Sequence, residues 1–513
     1  MQLLNNIAFF LRSSFPWLCI SILVLAAIIP LLSTLNFYSY NFANQFSDYY
    51  LRITYFSLFQ ATLSSIISVI LGIVLAHLLF KHRYIHGIYY LVNSLGIVFV
   101  LPTILIVLGI VSIYGSLEFL SLYGLFGILI AHITLNIPLV SRILFQSLSD
   151  ISSSEWMLAK HVNLDGLGLF KVVEWPIIKK NIPSLFLIVF FICFVSFIPV
   201  LVLGGSPKFS TLEVAIYQSI IFDFNFDKGL NLLFIQLAIC LFLFVAIFSN
   251  FKSKNFILNE NREFQLLHNY SFKYFFEYMV MFAVLILIFS PILIIIVNGF
   301  SMLFDVLIAP YFWKSLLTTF YISFFSGLLS IVLIYGSLLF INTKNKTGEI
   351  YLYALIIISP AIMSVGYYIF LNNYVPFKMA NIYIVIFLNA VFTLPFAYNF
   401  LAPSFFRMIQ EHSELSKSIG IVGLRKFMFV DWPRLKEPIV SAFCVASILS
   451  ASDLVIISFF GTNSLSTLTQ TIYRLMGSYR IEESQAVALL LLIYCFIYFI
   501  VSYKLVLKKW STQ

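Results

Sequence analysis

The residues whose types and spacing suggest a mechanism lie in two polar segments between long apolar stretches. Each segment ends in an acid, a Trp and a Pro. The two triplets are Glu174-Trp175-Pro176 and Asp431-Trp432-Pro433. Catalysis would need a nucleophile, a base or metal ligands gathered at one depth, and the sequence contains no such constellation. It also lacks a GxxxxGK[ST] phosphate-binding loop. The segments are therefore interpreted as rigid elements that another protein can grip.

Both segments, residues 152–176 and 411–433, are predicted to fold as a short amphipathic helix, a break and a second helix stopped at the proline. Three pairs of positions match between them. They are Met157 with Glu414, Ala159 with Ser416, and Asn163 with Gly420. Because Asn tolerates a left-handed backbone better than most residues, the break is expected in both segments. An ordinary amphipathic helix at a membrane surface is the alternative interpretation.

Composition places both segments in a membrane protein. Of 513 residues, 61% are hydrophobic and 10% are charged, whereas soluble domains average roughly 45–50% and 25%. The formal charge of +9 could suggest nucleic acid, but the basic residues lie in short loops and form no continuous run. The five cysteines fall in apolar stretches without metal-ligand spacing, so they are interpreted as small core residues.

Twelve membrane spans are predicted from the apolar runs and the residues that interrupt them. They lie near 16–37, 53–80, 88–113, 121–144, 184–204, 229–249, 277–297, 312–341, 350–371, 380–402, 438–460 and 485–507. If the N-terminus is cytoplasmic, roughly 23 of the 30 Lys and Arg residues face the cytoplasm. The positive-inside rule therefore predicts a multi-pass membrane protein with both termini in the cytoplasm.

The chain is predicted to be an internal duplication. Pro102 and Pro360 differ by 258 positions, and the two Trp-Pro pairs differ by 257. The expected domains are 1–250 and 275–513, joined by a cytoplasmic linker at 251–274. Each half holds six spans, so the copies should share one orientation, with a translocation path at their interface. Pro102 and Pro360 are candidates for that path, with simple helix kinks as the alternative.

The two polar segments resemble the EAA loop of ABC importer permeases, in which Glu-Ala-Ala is followed at fixed spacing by Gly and Leu-Pro. Glu414, Gly420 and Pro433 match by identity in the second copy, and Ala159 and Pro176 match in the first. The resemblance implies an all-α membrane protein of two tandem six-helix type I, MetI-like domains. It implies that both segments couple to a separate cytoplasmic ATPase dimer, which holds ATP and Mg. The coupling residues would be Met157, Ala159, Asn163, Glu174, Trp175, Pro176, Glu414, Ser416, Gly420, Asp431, Trp432 and Pro433.

Local runs further resemble the thiamine permease family. They are Val173-Glu174-Trp175-Pro176, Val195-Ser196-Phe197, Leu203-Gly204-Gly205, Thr211-Leu212-Glu213-Val214-Ala215-Ile216-Tyr217-Gln218, Leu449-Ser450-Ala451-Ser452-Asp453 and Gly477-Ser478-Tyr479-Arg480. This resemblance implies uptake of thiamine and its phosphates, delivered by a periplasmic binding protein, by a transport subunit that is not itself an enzyme. Ferric-iron permeases share the two-fold fusion and remain the alternative, followed by a twelve-helix secondary transporter.

A few ionisable residues fall within or beside the predicted spans. Asp453 lies inside one, where it would either meet a cation in the path or cap a broken helix near Gly461. Capping is favoured. His77, His132 and Arg142 are expected at span ends, near the membrane interface.

Overall fold

The computed structural model of the chain is built from α-helices. It describes residues 14–37, 48–85, 87–115, 122–162, 164, 166–205, 207–250, 272–341, 355, 358–374, 377–418, 424–462 and 465–507. Within these ranges the chain forms helices and turns and no β-strand. The predicted all-α class is therefore confirmed.

The helices of the first half vary in length from six to 34 residues. They are α1 (Phe15–Phe37), α2 (Asp48–Lys81), α3 (Ile88–Val100), α4 (Thr103–Tyr114), α5 (Leu125–Ser149), α6 (Ser153–His161), α7 (Trp175–Phe194), α8 (Ile198–Leu203), α9 (Leu212–Ile221) and α10 (Phe226–Asn250). A helical turn, Leu167–Leu169, and a π-helical turn, Phe170–Glu174, lead directly into α7.

The second half repeats this order in the residues that the structure describes. Its helices are α11 (Phe272–Gly299), α12 (Leu303–Ile308), α13 (Pro310–Phe340), α14 (Pro360–Tyr374), α15 (Phe377–Ser418), α16 (Trp432–Ala451), α17 (Val455–Phe460), α18 (Leu468–Gly477) and α19 (Ile481–Leu507). A helical turn, Leu424–Lys426, and a π-helical turn, Phe427–Asp431, lead into α16.

Nine helices within the described ranges are long and apolar enough to cross a membrane, and a tenth crossing is added if α3 and α4 form one broken span. Two of the twelve predicted spans are not among these ten. The span at 350–371 lies partly outside the described residues. The span at 438–460 corresponds to α16 and α17, and α16 carries Arg434, Lys436 and Glu437 in its first turns. A count of twelve therefore stays a prediction.

Three of the predicted spans are not single straight helices in the structure. The span at 88–113 bends by 99° between α3 and α4, where Pro102 is the residue before α4. The spans at 184–204 and 438–460 are each interrupted, at 195–197 and 452–454, before a six-residue helix. Proline explains the first bend, because it cannot donate the hydrogen bond that would continue the preceding helix.

The duplication is visible in the helix bounds. Both ends of α16 lie 257 residues after those of α7, and both ends of α17 lie 257 residues after those of α8. For α18 and α9 the offset is 256 at both ends. Broken helices therefore occur at matched positions in the two halves.

The structure contains two compact units, each assembled from separate stretches of chain. Unit 1 contains 1–42, 216–237 and 298–513, and unit 2 contains 43–215 and 238–297. Unit 1 thus includes α1, whose Trp17 ring lies 4.6 Å from that of Phe340. Unit 2 includes most of α11, whose Glu277 bonds to Lys81 at 2.6 Å. The predicted domain boundaries concern duplicated sequence and stay a prediction.

Small residues let the helices of each unit pack closely. In unit 2, a Cβ at Gly72 of α2 would overlap Val140 of α5. In unit 1, a Cβ at Gly327 of α13 would overlap Ser447 of α16. Close approach of this kind is the usual source of helix association in lipid, where apolar burial alone gives little driving force. The second span of each half is therefore packed closely against a later helix of its own unit, α5 for α2 and α16 for α13.

Candidate functional site

The first polar segment begins with a separate short helix, α6. The chain leaves α5 at Ser149 and restarts at Ser153. The backbone N–H of Glu155 donates to the hydroxyl of Ser152 at 3.3 Å, which satisfies one of the free amides at the start of α6. Ser152 and Glu155 have the Ser-x-x-Glu spacing of a capping box, so the local sequence favours a new helix here.

A buried tryptophan holds α6 against unit 2. Trp156 packs in a cluster with Phe80, at the end of α2, and with Leu148 and Ile178. The guanidinium of Arg83 lies 4.1 Å from the ring centre of Phe80 and 5.3 Å from that of Trp156. Cation–π contacts of this kind add to the apolar packing. The short helix is therefore fixed to the end of α2.

The opposite side of α6 exposes apolar side chains. Met157, Leu158 and Val162 are exposed, whereas Ala159 is buried. Leu167, in the turn before α7, is 72% exposed. Contiguous exposed apolar residues mark a surface for a protein partner or a membrane. Of the predicted coupling residues here, Met157 is thus accessible and Ala159 is not, while Asn163 lies outside the described residues.

The second segment differs, because its first part is not a separate helix. Instead, α15 continues from the preceding span to Ser418 without interruption, 42 residues in all. Glu414 and Ser416 belong to the last turns of α15. The prediction of a short independent helix is wrong for this copy. Gly420 lies outside the described residues, so the predicted break at that position stays a prediction.

The prediction that a second helix stops at the proline is wrong in both copies. Pro176 and Pro433 lie in the first turn of α7 and α16, and the chain is already helical before them. Five π-helical residues precede each Trp. Within a continuous helix, proline removes one backbone hydrogen bond, and a π-turn is one of the local adjustments that accommodate the freed carbonyl.

The acid of the first triplet points inward and holds a histidine. The Nδ1 of His77, near the end of α2, donates to Oε2 of Glu174 at 2.6 Å. Glu174 is buried, whereas the His77 side chain is 28% exposed. The ring of Phe170, from the same π-turn, meets the imidazole edge to face at 4.9 Å. We call His77, Phe170 and Glu174 the first ring clamp.

The second triplet repeats this arrangement around a tyrosine. The hydroxyl of Tyr335, on α13, donates to Oδ2 of Asp431 at 2.6 Å. The Phe427 ring lies 5.2 Å from that of Tyr335. Burial raises the pKa of Asp431, while the Tyr335 hydrogen bond and the charge of Lys426, at 4.0 Å, oppose that rise. We call Tyr335, Phe427 and Asp431 the second ring clamp.

The two clamps occupy matched positions in the duplication. Phe427 and Asp431 each lie 257 residues after their counterparts, and Tyr335 lies 258 after His77. The tryptophans of the triplets, Trp175 and Trp432, are partly exposed and pack on the clamp phenylalanines at 5.9 and 6.1 Å. Each segment is thus attached to the second span of its own half by one acid and one aromatic ring.

Comparison with known proteins identifies the family. The chain is 32% identical over 477 residues, 88% of each chain, to the thiamine transport system permease protein ThiP of Haemophilus influenzae. It is 32% identical over 486 residues, 89% of each chain, to that of Escherichia coli K12, and 31% identical over 521 residues, 96% of each chain, to that of Salmonella typhimurium. The chain belongs to the thiamine transport permease family. No protein-family model matches it.

Family membership confirms the resemblance predicted from the local runs. Together with the helices long enough to cross a bilayer, it makes this permease a multi-pass inner-membrane transport protein. Its relatives are named thiamine transport system permease proteins.

Asp453 of the permease caps a helix. Its carboxylate accepts hydrogen bonds from the backbone N–H groups of Val455, Ile456 and Ile457 at 3.1–3.3 Å. Carboxylates are stabilised at helix N-termini, where amides without helical partners and the helix dipole both favour negative charge. The geometry therefore favours the capping interpretation of this residue.

The remaining candidates have different surroundings. Pro102 lies at the bend before α4, and Pro360 is the first residue of α14. The expectation that His132 lies at a span end is wrong: it is buried in the middle of α5, with Nδ1 3.2 Å from the hydroxyl of Ser64. His77 does lie near a helix end, but its clamp role was missed. The sequence contains no direct signal for it, because the matched residue of the second half, Tyr335, is of a different type.

Proposed function

We propose that this chain is the membrane permease of an ATP-binding cassette importer that moves thiamine, and its phosphates, from a periplasmic binding protein into the cytoplasm. A separate cytoplasmic ATPase dimer, which holds ATP and Mg, drives the transport. The observation that carries this proposal is the matched pair of polar segments. Each has an inward acid fixed to the second span of its half, and the first also presents an exposed apolar surface.

The mechanical role of the segments follows from their attachment. A partner that binds the exposed face of α6 would move α7 and α2 with it, because Trp156 and the first ring clamp join all three. Rigid elements of this kind transmit domain movement without a large internal rearrangement. The distribution of Lys and Arg predicts that the N-terminus is cytoplasmic. Both segments and the C-terminus would then also face the cytoplasm, where the ATPase is.

Uptake by reconstituted vesicles tests the proposal. Proteoliposomes that contain the permease are assayed for labelled thiamine, with and without the ATPase and the thiamine-binding protein. We expect uptake only when both partners and ATP are present. Uptake driven by a proton gradient alone would indicate a secondary transporter, and uptake of ferric iron in place of thiamine would indicate the other fused permease class.

Two substitutions examine the predicted site residues. Gly420→Val should reduce uptake while the complex still forms, since a β-branched residue disfavours the backbone bend expected there. For Asp453, the helix-capping role predicts that Asp453→Asn retains more folded protein than Asp453→Ala, because Asn is a good N-cap and Ala is not. Normal folding of both variants with weakened uptake would instead indicate contact with the solute.

A further inference from the structure

Several aromatic side chains meet in unit 1 where stretches from both halves of the sequence come together. Tyr217 lies on α9 and Phe226 begins α10, in the first half. Tyr368 lies on α14, and Phe459 and Phe460 lie on α17, in the second half. We call these five residues the aromatic cluster. All belong to unit 1, which includes residues 216–237 of the first half.

The rings of the cluster are in direct contact. Tyr217 and Phe459 lie 5.4 Å apart, centre to centre, with their planes at 78°. Tyr368 lies 6.2 Å from Phe460 and is stacked on Phe226 at 6.5 Å. Tyr217 is 6% exposed and Phe459 is 4% exposed, so little water reaches their contact.

The elements that carry the central pair are short helices beside breaks. Phe459 follows the interruption at 452–454, which Asp453 caps, and α9 has ten residues. Non-helical backbone within membrane proteins is tolerated where it is buried in protein or lines a solute path. In transporters with repeated halves, solute sites lie at the junction of the repeats and use such discontinuous helices. The pair has both properties.

The geometry of the pair suits a positive charge. In an edge-to-face contact, the electropositive edge of one ring lies against the electron-rich face of the other. A cationic aromatic ring offers the same positive edge with a full charge, so it can replace one partner of the pair. Cation–π contacts are stronger where water is excluded, as it is here.

The neighbouring polar groups are compatible with this use. The hydroxyl of Ser458 is within hydrogen-bonding reach of the Tyr217 phenol. Arg474, on α18, is the nearby positive charge and would repel a cation, but its side chain is exposed, and solvent and salt weaken that repulsion.

We propose that Tyr217 and Phe459 form a contact site for the solute. The positively charged aromatic ring of the solute takes the place of one of the two rings and binds the face of the other. The inference rests on the proposed function, since a cationic aromatic vitamin is the solute that the family name indicates. Nothing in the comparison with relatives assigns a role to either residue.

Ring fluorination at position 459 tests the site. Phe459 is replaced by mono-, di- and trifluorophenylalanine, which keep the shape of the ring and weaken its negative face. Thiamine uptake is measured in proteoliposomes with the ATPase and binding protein. We expect a graded fall in uptake, reaching about two- to thirty-fold for the trifluoro ring, the range of cation–π strengths. A parallel fluorotyrosine series at Tyr217 shows whether its ring contributes.

The matched control is Phe443 of α16, whose ring meets that of Phe324 of α13 edge to face at 5.5 Å and 80°. Neither helix carries a residue of the aromatic cluster. Uptake should not change with fluorination of Phe443. Thiamine uptake that does not change with fluorination at either Phe459 or Tyr217 would overturn the proposed site. An equal fall in uptake on fluorination of Phe443 would overturn it as well. Failure of the unmodified complex to take up thiamine would instead overturn the proposed function, so the two failures are distinguishable.

Discussion

The two polar segments are alike where they meet their own unit and different where they face outward. In each, an acid and a phenylalanine from a π-turn hold one ring of the second span. Beyond that clamp, the first segment has a separate helix, α6, held by Trp156, and the second has the end of the continuous helix α15.

This difference shows which part of the element is constrained. A buried acid must keep its hydrogen-bond partner, since an unpaired buried group is costly. The outer part of each segment, which we call its tip, is α6 in the first copy and the end of α15 in the second. A tip has no buried acid to satisfy and can therefore adopt more than one structure. Under the proposed function, the clamps would transmit movement in both halves, and the outer parts of the segments would determine how each side binds the ATPase.

The largest expected effect comes from removing the anchor of α6. Trp156→Ala should lower thiamine uptake about tenfold or more, because losing a buried Trp typically costs about 3–5 kcal/mol of packing and α6 has no helical continuity with α5. Co-purification with the ATPase and uptake are both measured. Ser413 occupies the matching position of the second copy, and Ser413→Ala should leave uptake unchanged. Equal losses would remove the distinction between the two tips.

The next largest effect is expected from interrupting the continuous helix α15. Gln410 is exposed and matches Ser153, where the first copy restarts its helix. Gln410→Pro should cost about 3 kcal/mol within the helix and uncouple ATP hydrolysis from uptake. Gln410→Ala is the control and should behave like the unmodified chain. If ATP hydrolysis and uptake stay coupled in the proline variant, the second segment tolerates a helix break, as the first segment does between α5 and α6.

A smaller effect is expected from the clamp acids. Asp431→Ala leaves the Tyr335 hydroxyl without its acceptor at a cost of about 1–3 kcal/mol, and the loss of uptake should exceed that of Glu174→Ala. The reason is that the partly exposed His77 can bond to water instead. Asp431→Asn and Glu174→Gln keep an acceptor and should be milder. A reversed order would show that the first clamp carries more of the coupling.

The smallest effect is expected at the first tip. Met157→Glu places an acid at the position of Glu414, on an exposed site where substitutions usually change stability by no more than about 0.5 kcal/mol. Uptake should therefore stay within about twofold. Titration of the detergent-solubilised permease with the ATPase measures whether the affinity between the two rises or falls. A large loss would mean that the apolar contact of Met157 is itself needed for coupling.

Part of this arrangement could be predicted from sequence. The Trp-Pro pairs located both segments, because their spacing repeats regardless of tertiary contacts. The break before α6 was indicated by Ser152 and Glu155, and their counterparts, Ile409 and His412, cannot form a capping box. The continuity of α15 was thus available in the sequence but was overlooked.

The clamps could not be predicted in the same way. His77 and Glu174 are 97 residues apart, and a histidine near a span end is ordinarily interfacial. Only the packing of α2 beside α7 brings the two together. The break beside Asp453 was expected from that residue. The interruption at 195–197 was missed because the apolar composition continues through it, and hydropathy does not register where backbone hydrogen bonds stop.

The membership of α1 in unit 1 has a consequence for synthesis. Its packing partners α13 and α14 come from the far half of the chain, so α1 must wait in the bilayer while about 270 further residues are made, roughly 15–55 s at ordinary elongation rates of about 5–20 residues per second. During that interval it is an orphan segment, exposed to membrane quality control. Separating the gene at the midpoint would leave each product short of a helix that only the other supplies.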